Sequence, residues 1–134
     1  MVCLRGDEVL LIRRGKPPRR GEWSIPGGRV EWGERCESAA LRELGEETGV
    51  EAELLGLLDV VDGLFDPAAD GQPTSHAVLI DYAARWRSGE PRAGDDAMEA
   101  RFWRASEAIQ LVQWRETKRI IALALERHSE SASP

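Results

Sequence analysis

Cysteine, histidine and long apolar runs are all scarce in this sequence of 134 residues. Its two cysteines, Cys3 and Cys36, are too few for a disulfide framework or a zinc site built from thiolates. No apolar stretch approaches the roughly 20 residues that a membrane span needs, and no secretory signal is visible. These absences exclude a disulfide-rich secreted domain, and they predict a cytoplasmic protein that is neither exported nor embedded in a membrane.

Basic residues are outnumbered as well. The chain has 18 lysines and arginines against 24 aspartates and glutamates, which gives a formal net charge of −6. This excess of acid disfavours binding along duplex nucleic acid, which attracts basic surfaces. The length and the apolar fraction of 42% predict one folded domain over residues 1–128, followed by a polar tail at 129–134 that is expected to be disordered.

The order of apolar runs and chain breakers predicts strands and helices without a regular alternation. Strands are predicted at residues 2–4, 9–12, 51–62, 76–86 and 100–104. Loops rich in glycine, proline or charge are predicted at residues 13–20, 63–73 and 88–96. A brief helical turn is capped by Ser106, and longer helices are predicted at 35–48 and 114–127. This pattern favours an α+β fold or an α/β/α sandwich, with a mixed sheet.

Three carboxylates crowd one face of the predicted helix at 35–48. At about 100° per residue, Glu46 and Glu47 lie within an arc of roughly 100° that also contains Glu43. Like charges at this spacing destabilise a helix, and Arg42 is the one obvious source of relief within it. A bound cation is therefore expected there, although the same pattern is compatible with a solvated acidic face.

The three acids belong to a longer pattern of fixed spacing that extends back to the preceding loop. The pattern resembles the signature of the Nudix hydrolases, G-x5-E-x7-R-E-U-x-E-E-x-G-U, in which U is a bulky aliphatic residue. All nine specified positions match, and we call residues 28–50 the Nudix box: Gly28, Glu34, Arg42, Glu43, Leu44, Glu46, Glu47, Gly49 and Val50. The resemblance implies an α+β, Nudix-type α/β/α sandwich with a mixed sheet between helices.

The resemblance also implies hydrolysis of a nucleoside diphosphate linked to another moiety, with the help of divalent metal ions. Carboxylate oxygens suit Mg²⁺, with Mn²⁺ as the alternative. By similarity of position, the metal ligands are expected to be Glu43, Glu46, Glu47 and the carbonyl of Gly27. Glu43 and Glu47 are also expected to act in catalysis. Structural support of the site is expected from Gly28, Glu34 and Arg42.

Members of this superfamily often take a further catalytic acid from a loop beyond the box. The acidic segment at residues 95–99 is the candidate source here, and we favour Glu99 over Asp96. The other interpretation is an acidic loop that merely enters a strand. Substrate contacts are expected from Arg29, Arg14 and Trp23, although the basic loop could be simply solvated and the tryptophan could pack in the core.

Substrate choice depends on loops outside the box. ADP-ribose or another nucleotide sugar is the first expectation, and nucleoside triphosphates, including oxidised ones, are the second. A catalytically silent domain that binds nucleotides is a third possibility, which the intact box acids disfavour. A calcium-binding domain is weaker still, because the aspartates at 59–70 lack the EF-hand spacing. The expected partner is a small nucleotide derivative, and a homodimer is possible.

Overall fold

Six strands and three helices form from residues 1–128, the part of the chain that the computed structural model describes. In chain order they are β1 (Val2–Arg5), β2 (Glu8–Arg14), β3 (Trp23–Ser24), α1 (Cys36–Thr48), β4 (Glu51–Pro67), β5 (Pro73–Ser88), β6 (Ala97–Arg104), α2 (Ala105–Leu111) and α3 (Arg115–His128). The disordered tail predicted at residues 129–134 lies outside the described residues.

All six strands join one mixed sheet. Strand β6 runs antiparallel along the whole of β2, while β1 and β3 pair with opposite ends of the other edge of β2. Strand β1 is parallel to β5, and β5 is antiparallel to β4, so parallel and antiparallel pairs coexist. The prediction of a mixed sheet is confirmed.

Each face of the sheet carries its own apolar cluster. On one face, α1 inserts Leu44 against Leu10, Tyr82 and Phe102. On the other face, α2 and α3 cover a larger cluster that includes Val9, Leu11, Ala108, Ile120 and Ile121. Because alternate residues of β2 point to opposite faces, this strand supplies both clusters. The sheet is therefore sandwiched between helices, as predicted.

Helix α1 forms where helix-favouring residues dominate the sequence, and its end is fixed by a glycine. Gly49 has φ +72° and donates its amide to the carbonyl of Gly45, which is the left-handed cap expected after the last turn. The helix begins at Cys36, after Arg35, whose side chain makes no capping hydrogen bond. Leu44 and Thr48 are buried, so the opposite side of the helix is left to carry charge.

Several boundaries differ from the prediction. The loop predicted at residues 63–73 is wrong, because β4 and β5 continue through it and turn only at 68–72. Cross-strand pairs from Gly63–Ala77 to Pro67–Pro73 satisfy the backbone there, and they outweigh the local glycine, aspartate and proline signals. Arg13 and Arg14 likewise extend β2 rather than belonging to a loop.

The remaining differences concern the helices and a short strand. Ser106 lies inside α2, which begins one residue earlier at Ala105, so its predicted capping role is wrong. The two-residue strand β3 was not predicted, because it exists only through pairing with β2. Among residues 1–128, no helix combines the length and apolar composition that crossing a membrane requires.

Candidate active site

Helix α1 and the segment after β5 bring three carboxylates together. One carboxylate oxygen from each of Glu43, Glu46 and Asp95 lies within 4.8 Å of the others. Glu43 is partly buried, whereas Glu46 and Asp95 are exposed. The two glutamates are neighbours because residues three apart share a face of a helix. Asp95 reaches them from a distant part of the sequence, so the tertiary fold assembles this acidic cluster.

The third acid of the cluster, Asp95, comes from the acidic segment at residues 95–99, and it is neither Glu99 nor Asp96. Glu99 lies on β6 opposite Arg13 of β2. Two and four residues further along the same strand are Arg101 and Trp103, and Trp103 packs on the face covered by α2 and α3. The strand alternation thus directs Glu99 away from the face on which α1 lies. Its catalytic role stays a prediction, and Asp95 is the acid found beside Glu43.

Glu47 is the buried acid of the box. Only 6% of the residue is exposed, and one carboxylate oxygen accepts a hydrogen bond of 2.8 Å from the amide of Gly27. Burial raises the pKa of Glu47 to about 7, and the charge of Glu43 acts in the same direction. The Gly27 amide and the nearby Arg14 oppose this rise. Glu47 therefore ties α1 to the glycine turn that precedes it.

Arg42 links the acids to the loop before α1. Its Nε and Nη2 donate to Glu34 at 2.8 and 2.9 Å, and its Nη1 donates to Glu43 at 2.9 Å and Glu46 at 3.1 Å. A further hydrogen bond of 2.9 Å runs from Nη2 to the carbonyl of Arg29. The hydrogen bonds from Arg42 lower the pKa of Glu34 to about 2. One guanidinium thus fixes both the loop and two acids of the cluster.

Gly28 lies directly against the carboxylate of Glu43. A Cβ atom at position 28 would overlap the carboxylate carbon and both its oxygens. No side chain fits there unless the Glu43 carboxylate moves. Glycine is thus required at this position of the box for a steric reason, because any side chain would displace the Glu43 carboxylate from the acidic cluster.

The residues present fit a divalent cation. Their contacting atoms are hard carboxylate oxygens, which suit Mg²⁺ and Mn²⁺ better than softer metals. Glu43 and Glu46 already share one cationic group, the Nη1 of Arg42, which shows that a single positive centre can reach both. The fold therefore presents a donor set that a metal of this class could use.

The predicted substrate contacts occupy different environments. Arg14 donates its Nε to the carbonyl of Pro18 at 2.6 Å and lies near Glu47. The side chain of Arg29 is exposed on the loop that Arg42 holds. Trp23 packs edge-to-face on Trp103, with ring centroids 5.2 Å apart. Arg29 is thus accessible to an anion, whereas Arg14 is half-buried and its Nε is committed to the Pro18 carbonyl. The tryptophan is committed at least in part to the core.

A groove of about 560 Å³ lies between the loop after β2 and the tip of the β4–β5 hairpin. We call it the hairpin-tip groove. Its lining is mostly proline and apolar side chains: Pro17, Pro18, Arg19, Leu64, Phe65, Asp66, Pro67, Gly71 and Pro73. Lys16, next to this lining, forms an ion pair of 2.9 Å with Asp96, the neighbour of Asp95. The loop after β2 therefore contacts both the groove and the acidic segment.

A family model described as the NUDIX domain matches residues 1–124. The chain belongs to the Nudix family. This membership, predicted from the box, is confirmed.

Individual Nudix relatives differ in the substrates that their names give. The chain is 38% identical over 102 residues to a Methanocaldococcus jannaschii protein named ADP-ribose pyrophosphatase, covering 76% of this chain and 57% of that protein. It is also 38% identical over 114 residues to a Mycobacterium tuberculosis protein provisionally named 8-oxo-dGTP diphosphatase 2, covering 84% of this chain and 75% of that one. The chain thus spans little more than half of the archaeal relative.

A solved structure confirms the Nudix fold. The crystal structure of a MutT NUDIX hydrolase from Burkholderia pseudomallei superposes with a TM-score of 0.71 at 33% sequence identity. The match covers 91% of this chain and 92% of that one. The predicted α+β sandwich is therefore confirmed over nearly the whole domain.

Proposed function

We propose that this Nudix protein is a metal-dependent pyrophosphohydrolase that cleaves a nucleoside diphosphate linked to another moiety. The observation that carries the proposal is the approach of Glu43, Glu46 and Asp95 within 4.8 Å. Two of these acids come from the box and the third from a separate segment. Three carboxylates at this separation repel one another, and a shared divalent cation would offset that repulsion.

The proposed metal ligands are Glu43, Glu46, Glu47 and the Gly27 carbonyl. Asp95 is proposed as a further ligand, because its carboxylate lies close to those of Glu43 and Glu46. Bound Mg²⁺ would supply charge neutralisation for the diphosphate and activation of a water molecule. Arg42 binds both Glu43 and Glu46, and its bonds to Glu34 fix its own position. Mn²⁺ is proposed as an alternative ion, because it accepts the same oxygen ligands.

The reaction proceeds by attack of water on one phosphorus of the diphosphate. A bond forms between the water oxygen and phosphorus, and the bond from phosphorus to the bridging oxygen breaks. Glu43 accepts the proton released by the water, and the bridging oxygen leaves with the second phosphate. Arg14 and Arg29 pair with the phosphate oxygens and hold them in line for the attack.

ADP-ribose or another nucleotide sugar is the proposed substrate class. The name of the archaeal relative supports this choice, and the hairpin-tip groove could accept the moiety attached to the phosphates. The second candidate is a nucleoside triphosphate, including an oxidised one, which the name of the mycobacterial relative favours. The cytoplasmic location and the possible homodimer remain predictions.

The decisive experiment replaces Glu46 and Glu47 singly by glutamine. Each variant is assayed for release of a nucleoside monophosphate from ADP-ribose, nucleotide sugars and nucleoside triphosphates, with Mg²⁺ and with Mn²⁺. Glu47→Gln is expected to abolish turnover while circular dichroism shows an intact fold. Retention of near-full Mg²⁺-dependent activity by Glu47→Gln would contradict the proposal.

The same preparation distinguishes an enzyme from a silent domain. Binding of Mn²⁺ that depends on Glu46 and Glu47, without hydrolysis of any substrate in the panel, would favour the silent domain.

The contribution of the groove is tested with two exposed hairpin residues. Leu64 lines the groove, whereas Val78 lies on the same exposed hairpin face without lining it. Leu64→Ser is expected to raise KM for the preferred substrate, and Val78→Ser to leave KM unchanged. Equal KM values for both variants would remove the groove from the proposal and leave the metal-dependent chemistry in place.

A further inference from the structure

The segment at residues 89–96 is attached to the end of α1 by backbone contacts. The amide of Arg92 donates to the carbonyl of Thr48 at 3.0 Å, and the amide of Gly94 donates to the carbonyl of Glu47 at 2.9 Å. Helices leave their last carbonyls without partners inside the helix, so these amides satisfy groups that are otherwise free. We call residues 89–96 the strap.

The approach of the strap to α1 is too close for a side chain at Gly94. A Cβ atom at this position would overlap the backbone carbonyl oxygen of Glu46. Backbone atoms of a helix cannot yield as the end of a flexible side chain can. Gly94 does not have positive φ, so its requirement for glycine comes from this contact and not from its own backbone conformation.

The other end of the strap is held by the loop after β2. The amide of Gly15 donates to the carbonyl of Asp96 at 3.0 Å, and a Cβ atom at Gly15 would overlap that same oxygen. Lys16 pairs with the side chain of Asp96 at 2.9 Å. Asp95 therefore lies between two anchored neighbours, one bound to α1 and one bound to the β2 loop.

The backbone of Asp95 shows the effect of this double attachment. Its φ is +50°, which is a left-handed conformation that residues with a side chain adopt at a cost of about 1 kcal/mol. Aspartate tolerates it better than most residues, but the conformation still has to be imposed by the neighbours. In this conformation the Asp95 carboxylate lies with those of Glu43 and Glu46.

We propose that Gly94 is a positioning residue, which lets the strap close on α1 and so places Asp95 as an additional ligand of the metal held by Glu43 and Glu46. The proposal rests on the proposed function, because it assumes that these acids share a cation. The geometry of the site would then depend on Gly94, which lies outside the Nudix box at a position where no side chain can be accommodated.

The test is a double-mutant cycle on Mn²⁺ binding, measured by electron paramagnetic resonance without any substrate. The proteins are the wild type, Gly94→Ala, Asp95→Asn and the double variant. Each single change is expected to weaken Mn²⁺ binding by about 10-fold or more. The double variant is expected to bind no more weakly than Asp95→Asn alone, because Gly94 acts through Asp95.

Gly45→Ala is the matched control. Gly45 lies in α1 beside Glu46, but a Cβ atom there would meet nothing within 4 Å. This variant adds the same methyl group next to the same acid, and it is expected to bind Mn²⁺ as the wild type does. Thermal unfolding of all variants without metal shows that the folded state is retained.

Two results would overturn the role of Gly94: unchanged Mn²⁺ affinity in Gly94→Ala, or fully additive losses in the double variant. If Gly94→Ala does not fold, Gly15→Ala replaces it in the cycle, since it displaces the strap from the other end. Failure of the proposed metal site is distinguishable, because Mn²⁺ binding would then be insensitive to Glu46→Gln as well. A silent domain is also distinguishable, because its Mn²⁺ binding would stay sensitive to Glu46→Gln while no substrate is hydrolysed.

Discussion

The acidic cluster is supported from two sides by different kinds of interaction. Toward the loop before α1, the support is a network of charged side chains centred on Arg42, with Glu34 as its strongest partner. Toward the strap, the support consists of backbone hydrogen bonds and of glycines that leave no room for a side chain. The first support depends on charge, and the second depends on shape.

This difference determines how each support responds to change. Ion pairs between partly exposed groups weaken as salt concentration rises, and one charged residue can partly replace another. A close backbone contact is indifferent to salt, and even one methyl group disrupts it. The residue common to both sides is Glu47, whose carboxylate accepts from Gly27 on the loop side while its carbonyl accepts from Gly94 on the strap side.

Replacing Glu47 by glutamine should have the largest effect, because it is expected to raise the stability of the fold and to abolish activity. The pKa of about 7 lies above the ordinary value of 4.5, so the folded protein keeps a proton that the unfolded chain releases between these pH values. The resulting stabilisation is fully present below pH 4.5 and is lost as pH rises through 7. Glutamine stays neutral and can still accept from Gly27.

Without metal, Glu47→Gln is therefore expected to raise the free energy of unfolding at pH 8 by up to about 3 kcal/mol, while activity is lost. Urea unfolding at pH 4.5 and pH 8 in the presence of a chelator measures this difference. If the unfolding free energies of the two proteins depended equally on pH, the raised pKa of the Glu47 carboxyl group would be contradicted.

Replacing Arg42 by lysine tests the charged support. A lysine ammonium keeps the charge, but it cannot bond Glu34, Glu43 and the Arg29 carbonyl at once as the guanidinium does. Turnover with Mg²⁺ is expected to fall by about 10- to 100-fold. Arg101→Lys is a matched control, since Arg101 lies over the Trp103 ring away from the cluster. Equal activities of the two variants would show that charge alone suffices.

Replacing Gly28 by alanine introduces a steric change on the charged side of the cluster. The new Cβ would displace the carboxylate of Glu43, which is the end of a flexible side chain and can move. Turnover is expected to fall by about 10-fold, with little change in the midpoint of thermal unfolding. A large drop in that midpoint would mean that the backbone, and not the carboxylate, gives way.

Replacing Glu34 by glutamine should have the smallest effect. Its pKa is lowered to about 2 by the hydrogen bonds from Arg42, so the stability that it contributes is present above pH 4.5 and is lost as pH falls toward 2. Glu34→Gln is expected to unfold with a shallower dependence on pH in that acidic range. Unfolding midpoints measured from pH 5 to pH 2 test this, and curves parallel to those of the wild type would contradict it.

The charged support could be predicted from the sequence because its members lie close along the chain. Arg42, Glu43 and Glu46 are within one helical turn or so, and Glu34 belongs to the same spaced pattern. Helical periodicity then fixes which side chains meet. The glycine cap at Gly49 was predictable for the same reason, since it depends only on the end of one helix.

The strap and the hairpin could not be predicted in this way. Asp95 meets Glu43 only after the chain has passed through β4 and β5, and no local pattern distinguishes it from Asp96 or Glu99. The glycines and prolines at residues 63–73 signal a loop, yet pairing between β4 and β5 keeps most of them in strands. In both places, contacts between residues that are distant in sequence outweigh the local sequence signals.

The parallel pairing of β1 with β5 has a consequence for the order of folding. Val2 pairs with Ala83, so this contact closes a loop of about 80 residues, whereas the β4–β5 hairpin closes over a five-residue turn. Contacts between neighbours in sequence form faster than contacts that close long loops. The topology therefore predicts that the hairpin folds early, and that the acidic cluster and its strap are assembled only in the completed native state.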